Sequence, residues 1–224
     1  MPHDDLVYTI RRSPRARRIR VKVDPYDGVE VVIPQRATKR EARAAIRELR
    51  PWIDRRLHEA EAAKQRLAPP AGTVPYLGVH LSVRPEAGRT RAHRKGHELW
   101  LPEQGGDAAL ERWYRTRARD EIAPRLAHAT EALGRPHTTL AIRNQRTRWG
   151  SCSSTGAMSF NWRLMLAPEP VLDYVVWHEA CHLLVMDHSR RFWALVERHV
   201  PSYREHRSWL RRNGAALVLP PIAA

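Results

Sequence analysis

Apolar and basic positions alternate through residues 6–33. Ile19, Val21 and Val23 are interleaved with Arg18, Arg20 and Lys22, and a second apolar run comes after DPYDG (24–28) and continues to Ile33. A period of two on either side of a Pro- and Gly-containing turn predicts a β-hairpin. From Thr38 the period lengthens. Ala42, Ile46, Leu49, Ile53 and Leu57 recur at three- and four-residue spacings, with Arg40, Arg43, Arg47, Arg55 and Arg56 on the charged face. This predicts an amphipathic helix capped by Thr38 and ended by PPAG (69–72). Short strands are expected at 79–84 and 97–101, and EQGGD (103–107) reads as a boundary between a basic α+β region, 1–106, and a second domain, 107–224.

The second half opens with a helix expected over 108–133, closed by Gly134 and Pro136. Strand-like runs at 138–143 and 157–162 flank RTRWGSC (146–152). Pro168 and Glu169 sit where a further helix should start, with Leu172, Val175, Val176 and Cys181 on its buried side. Residues 191–200 and 202–212 read as two more helices parted at Pro201. The pattern is of the α+β class, with a small sheet and a helix carrying the candidate chemistry.

With 224 residues and 42% hydrophobic content, the chain can bury a real core. Two cysteines, Cys152 and Cys181, are too few for a disulfide framework and lack CxxC spacing, which fits a reducing cytoplasm and small buried residues. The N-terminus shows no secretory signal pattern and no stretch approaches a membrane span, so a soluble cytoplasmic protein is expected. The formal charge of +15 favours polyanions and makes nucleic acid a candidate partner through the basic N-terminal region. Only 7% of residues are aromatic, which gives stacking on single-stranded bases little support.

The stretch VVWHEACHLLVMDHSRRFW (175–193) carries the sharpest chemistry. Residues four apart on a helix share a face, so His178 and His182 can hold one ion, and two imidazoles suit zinc. Glu179 stands beside that ion, where it can act as general base on a water the metal acidifies. A catalytic zinc needs a third protein ligand; His188 is the first choice and Glu205 its rival. His188 would lie about 120° around a continuous helix from His182, so the helix must break between about Leu184 and Asp187, with Asp187 tolerating left-handed backbone. The apolar flanks strengthen the reading, because polar groups inside an apolar helix need a partner.

QRTRWGSCS (145–153), NWRLMLAP (161–168), VVWHEACHL (175–183) and DHSRRFW (187–193), in that order, resemble the YgjP-like metallopeptidase family, and the similarity reaches back through YTIRRSPRARR (8–18) and LERWY (110–114). The resemblance implies a minimal zincin, related in its core to SprT-like proteases. It also implies one zinc ion per chain on His178, His182 and His188, with Glu179 as base. Ala180 and Trp177 depart from the residues usual in the family without removing chemistry. The glycine with which metzincins turn towards their third histidine is absent, leaving that turn to residues 183–187. Arg148, Trp149 and Tyr203 are candidates for the cleft or for stabilising an oxyanion, with packing as the alternative for each. Phe192 and Trp193 are expected beneath the metal, and His199 and His206 at the surface.

The functional reading is a zinc-dependent metallopeptidase acting on a peptide or protein. Its rivals are a nucleic-acid-associated protein with a structural metal, a protease acting on DNA-bound proteins, and a scaffold that has lost activity.

Overall fold

The computed structural model describes residues 6–24, 28–145 and 148–219. Residues 25–27 of the expected hairpin turn, and Arg146 and Thr147 of the RTRWGSC segment, lie outside the described residues. Two compact units are formed, Met1–Leu67 and Ala68–Ala224.

In the first unit, β1 (Tyr8–Arg12), β2 (Arg20–Asp24) and β3 (Gly28–Ile33) make a sheet of order β1-β3-β2, followed by helix α1 (Lys39–Leu67). The expected antiparallel pairing of β2 and β3 is present, with Val21 opposite Val31 and Val23 opposite Val29. β1 adds parallel to β3, a non-local pairing absent from the expected hairpin. The inward residues Val29, Val31 and Ile33 pack on Ala42, Ile46 and Ile53 of α1. Thr38 starts that helix through a capping box: the Glu41 N–H donates to Thr38 Oγ1 at 3.2 Å, and the Thr38 N–H to Glu41 Oε2 at 2.7 Å.

The second unit begins with β4 (Thr73–Tyr76), β5 (Val79–Glu86), β6 (His93–Lys95) and β7 (Glu98–Pro102) in the order β4-β5-β7-β6. The boundary expected at 106/107 therefore falls inside this unit. Long-range hydrogen bonds tie its first strands to segments much later in the chain: the Leu77 N–H donates to the Met165 carbonyl at 2.8 Å, Tyr114 Oη to the Pro75 carbonyl, and Tyr76 Oη to Glu121 at 2.9 Å. Leu77 has φ 49° and Gly78 φ 90°, so both central residues of the β4–β5 turn are left-handed, as a two-residue hairpin of this twist requires.

Helix α2 (Gly106–Ala132) then leads to β8 (Thr139–Arg143), β9 (Gly150–Cys152) and β10 (Ala157–Asn161), in the order β8-β10-β9 with β8 parallel to β10. A 3-10 turn (Trp162–Leu166) connects to α3 (Glu169–Cys181), then α4 (Arg190–His199) and α5 (Tyr203–Asn213). Apolar on nearly every side, α3 buries Val171, Leu172, Tyr174, Val175, Val176 and Ala180. Its solvent-side register is set by Arg125 of α2, which donates to Asp173 at 2.8 Å and also pairs with Glu121 and Glu169. Among the described residues no helix is long and apolar enough to cross a membrane.

The capping box makes a measurable claim. Thr38→Ala should destabilise the chain by about 1 kcal/mol, with Thr38→Ser recovering most of the loss, in denaturant titrations. The Thr38 hydrogen bonds hold the Glu41 carboxyl below its ordinary 4.5. A depressed folded value means the stabilisation is present above pH 4.5 and is lost as the pH falls through the folded value. The difference between wild type and Glu41→Gln should accordingly shrink below pH 4.5, and a pH-independent difference would exclude the carboxylate cap.

Candidate metal centre

His178 lies on the last full turn of α3 and His182 immediately beyond its end. The helix then changes its hydrogen bonding. The N–H groups of His182, Leu183 and Leu184 donate to the carbonyls of Glu179, Ala180 and Cys181, three residues back, and the chain leaves the helical path after Val185. The hydrogen bonding thus changes from His182 onward, before the expected 184–187, while the chain itself leaves the helical path within that range. Asp187 does not use left-handed backbone: Leu77 is the one non-glycine residue with positive φ among the described residues. A tightened last turn achieves the reversal, and Asp187 accepts the Ser189 N–H at 3.2 Å, steadying the entry into α4.

This path carries His188 back over the helix end. Ligating atoms of His178, His182 and His188 lie within 4.8 Å of one another, and the Nε2 atoms of His178 and His188 are 3.1 Å apart. Two nitrogens bound to one tetrahedral zinc at 2.0–2.1 Å would stand about 3.3 Å apart, so the spacing fits an ion. His182 Nδ1 contacts the Val185 carbonyl at 3.0 Å, which orients the ring and leaves Nε2 for the cluster. Burial, aided by the charges of His182, His188 and Arg207, lowers His178 to about 3 and keeps it in the neutral form that binds metals. Burial also lowers His182. Glu205, the rival ligand, is exposed on α5 and outside the three-histidine group.

An aromatic floor supports the cluster. Phe192 of α4 stacks on His182 with centroids 4.4 Å apart and meets the rings of His178 and His188 edge-on, while Trp193 lies 5.6 Å from both of the latter. The sequence-based expectation for Phe192 and Trp193 is met.

Glu179 is 6% exposed, and burial raises its carboxyl to about 7 against the opposing pull of the Arg148 guanidinium. Its side chain lies on the backbone of β9. A Cβ on Gly150 would stand 2.5 Å from Glu179 Cγ and 2.6 Å from Oε1, so the carboxylate occupies the space a side chain would fill. Sequence reasoning leaves Gly150 in the segment between two strand-like runs and misses this role, which depends on β9 approaching α3.

The remaining candidates are distributed unevenly. Arg148 is exposed and near enough for its charge to act on Glu179. Trp149 has a packing position, its indole against Gly214, where a Cβ would sit 2.8 Å away. Tyr203 is buried and stacks on Trp193 at 5.2 Å. Two residues not singled out from the sequence join this side: Tyr174, whose ring meets His178 at 5.7 Å, and Arg207, whose guanidinium lies 4.6 Å from the Trp193 ring centre. Tyr174 precedes His178 by one helical turn, a spacing that could have found it. Cys152 and Cys181 stand outside the ligand group, their thiols raised by burial to about 11 and about 12. His199 and His206, expected at the surface, are half-buried there: His199 stacks on Trp177 at 4.2 Å, and His206 faces the Tyr174 ring at 6.3 Å and contacts Ser202 at 2.9 Å.

The description of the YgjP-like metallopeptidase domain matches residues 17–213. The chain belongs to this family. It is therefore a metal-dependent peptidase by family, with an α+β zincin-like fold, and its three histidines can hold a divalent ion. Among solved structures, the metallopeptidase zymogen abylysin of Pyrococcus abyssi is similar at 26% identity over 41% of this chain and 97% of its own, with a TM-score of 0.37. No curated protein matches the chain significantly.

Gly150→Ala should force Glu179 from its seat while leaving the three imidazoles in place. The expected outcome is an unchanged metal content with peptidase activity reduced by about 100-fold, the scale of loss for a displacement near 1 Å. Full activity in Gly150→Ala would show that the carboxylate does not depend on this clearance.

Proposed function

We propose that this protein is a zinc-dependent peptidase, with His178, His182 and His188 as ligands and Glu179 as general base, acting on a peptide or protein substrate. The observation that carries the reading is the meeting of three imidazoles within 4.8 Å beside a carboxylate that is 6% exposed. Three protein ligands leave a fourth position open, the arrangement of a catalytic zinc and not of a structural one. Zinc there would supply Lewis acidity, polarising the scissile carbonyl and acidifying the attacking water.

The chain's own residues perform the rest. Glu179 takes a proton from the attacking water and delivers it to the leaving amine, which requires a carboxylate held close without itself ligating. The Val185 carbonyl fixes the His182 ring, and Phe192 shields the rear of the cluster from solvent. Arg148 and Arg207 each bring a positive charge near the site, and Arg148, Tyr174 and Tyr203 are the side chains to test for stabilising charge on the substrate oxygen.

The decisive experiment combines metal analysis with hydrolysis of an unfolded protein. Glu179→Gln should keep about one zinc per chain and lose turnover, because an amide cannot accept the proton. His188→Ala should lose both zinc and turnover, whereas Glu205→Ala should keep both. Loss of zinc in Glu205→Ala with retention in His188→Ala would transfer the third ligand to the glutamate, and hydrolysis by Glu179→Gln at the wild-type rate would remove the base.

A further inference from the structure

The first unit carries a charge pattern that the peptidase reading does not use. Residues 1–67 hold 14 Arg and 3 Lys against 10 Asp and Glu, and seven of the twelve residues from 11 to 22 are Arg or Lys with no carboxylate among them. Strand register gathers part of this charge at one end of the unit. Arg12 lies opposite Ile33 in the parallel pair and Arg20 opposite Val32 in the antiparallel one, so the 13–19 connection crosses the end of β3 where the chain departs for α1. The Ser13 N–H donates to the Ile33 carbonyl at 3.0 Å, and the Arg12 guanidinium to the Gln35 and Ala37 carbonyls. Arg15, Arg17 and Arg18 of this connection are exposed beside exposed Arg36.

Helix α1 extends the patch. At 100° per residue, Arg40, Arg43 and Arg47 lie about 80–140° to one side of the core-facing line through Ala42, Ile46 and Ile53. Glu41 and Glu48 lie about 120–140° to the other side, and Glu41 is engaged in the Thr38 cap. The basic flank ends where Arg50 pairs with Asp54. None of the loop arginines 15, 17 and 18 or helix arginines 40, 43 and 47 forms an ion pair among the described residues. Over the first turns of α1, Arg40 to Glu48, such segregation is more than a solvated face requires, since interspersed signs would serve solubility equally well.

We propose that this flank and loop bind the phosphate backbone of duplex DNA without reading sequence. Arginine predominates, and its planar fork suits phosphate oxygens. Tyr8 and Trp52, the described aromatic residues of the unit, pack against its core, so the patch offers no stacking platform for single strands. An exposed helix about 10–12 Å across matches the roughly 12 Å major groove of B-form DNA, whereas the deep, narrow major groove of duplex RNA excludes it. The inference is independent of the metal centre and goes beyond the peptidase reading.

The test is fluorescence anisotropy of the full chain with a mixed-sequence DNA duplex, an RNA duplex of equal length, the single DNA strand, and anionic phospholipid vesicles. Duplex DNA should bind most tightly, with affinity falling steeply with salt. The triple substitution Arg40→Gln, Arg43→Gln and Arg47→Gln should weaken binding at 0.1 M salt at least about tenfold and flatten the log–log salt slope by about 3. Arg15→Gln, Arg17→Gln and Arg18→Gln together should act similarly, so that misfolding of one triple, visible by circular dichroism, leaves the other decisive. The control triple Arg135→Gln, Arg198→Gln and Arg211→Gln removes the same charge elsewhere and should leave the affinity within about twofold. Equal loss in the control would reduce the effect to net charge and overturn the proposal, as would preferential binding to RNA, to the single strand or to vesicles.

Discussion

The site depends on how α3 ends. Continued as an α-helix, the chain would carry His188 about 120° around the axis from His182 and away from any shared ion. Three successive hydrogen bonds to carbonyls three residues back tighten the turn, and the released backbone returns across the helix end. The same reversal offers the Val185 carbonyl to His182 and delivers Phe192 beneath the rings. The meeting of the three imidazoles, the orientation of the His182 ring and the aromatic floor are thus consequences of one local change in backbone hydrogen bonding.

A second constraint is the burial of polar chemistry in apolar surroundings. α3 and its end hold His178, Glu179 and His182 among Val175, Val176 and Ala180, and nearby packing does not satisfy them all: among the described residues His178 Nδ1 is buried without a hydrogen-bond partner. Isolated polar groups in such a place are costly. The protein tolerates the cost because the surrounding elements are held independently of the site, by the Arg125 pairs between α2 and α3 and by the aromatic contacts among Tyr76, Trp113, Tyr114 and Trp162. Rigid support of this kind keeps buried polar groups in place instead of letting them relax towards water.

Glu179 and Gly150 show how closely the two halves of the site are fitted. The carboxylate sits where a β9 side chain would be, so strand and helix approach each other more closely than any other residue at 150 would allow. Glycine serves here through its missing Cβ and not through unusual backbone angles, since its φ lies outside the left-handed range.

Much of this is legible along the chain. The HExxH spacing, the grouping of His188 with His178 and His182, Phe192 and Trp193 beneath the rings, the Thr38 cap and the main helices all follow from local rules of period, capping and side-chain spacing, which act over a few residues. The features that escape those rules depend on segments distant in sequence. β1 joins β3 in parallel across more than a dozen residues, and the β4–β7 sheet belongs with the second unit because Leu77 and Tyr114 bond across long separations. Gly150 gains its importance only when β9 meets α3, and His199 is partly covered only because Trp177 is there to stack upon. Even the reversal before His188, demanded by the ligand spacing, is made by hydrogen-bond partners within the folded turn and not by the left-handed Asp187 that local rules suggest. Sequence by itself determined which chemical groups exist and at what helical spacing; packing decided which of them meet, because close approach between remote segments is a property of the filled interior and of no local pattern.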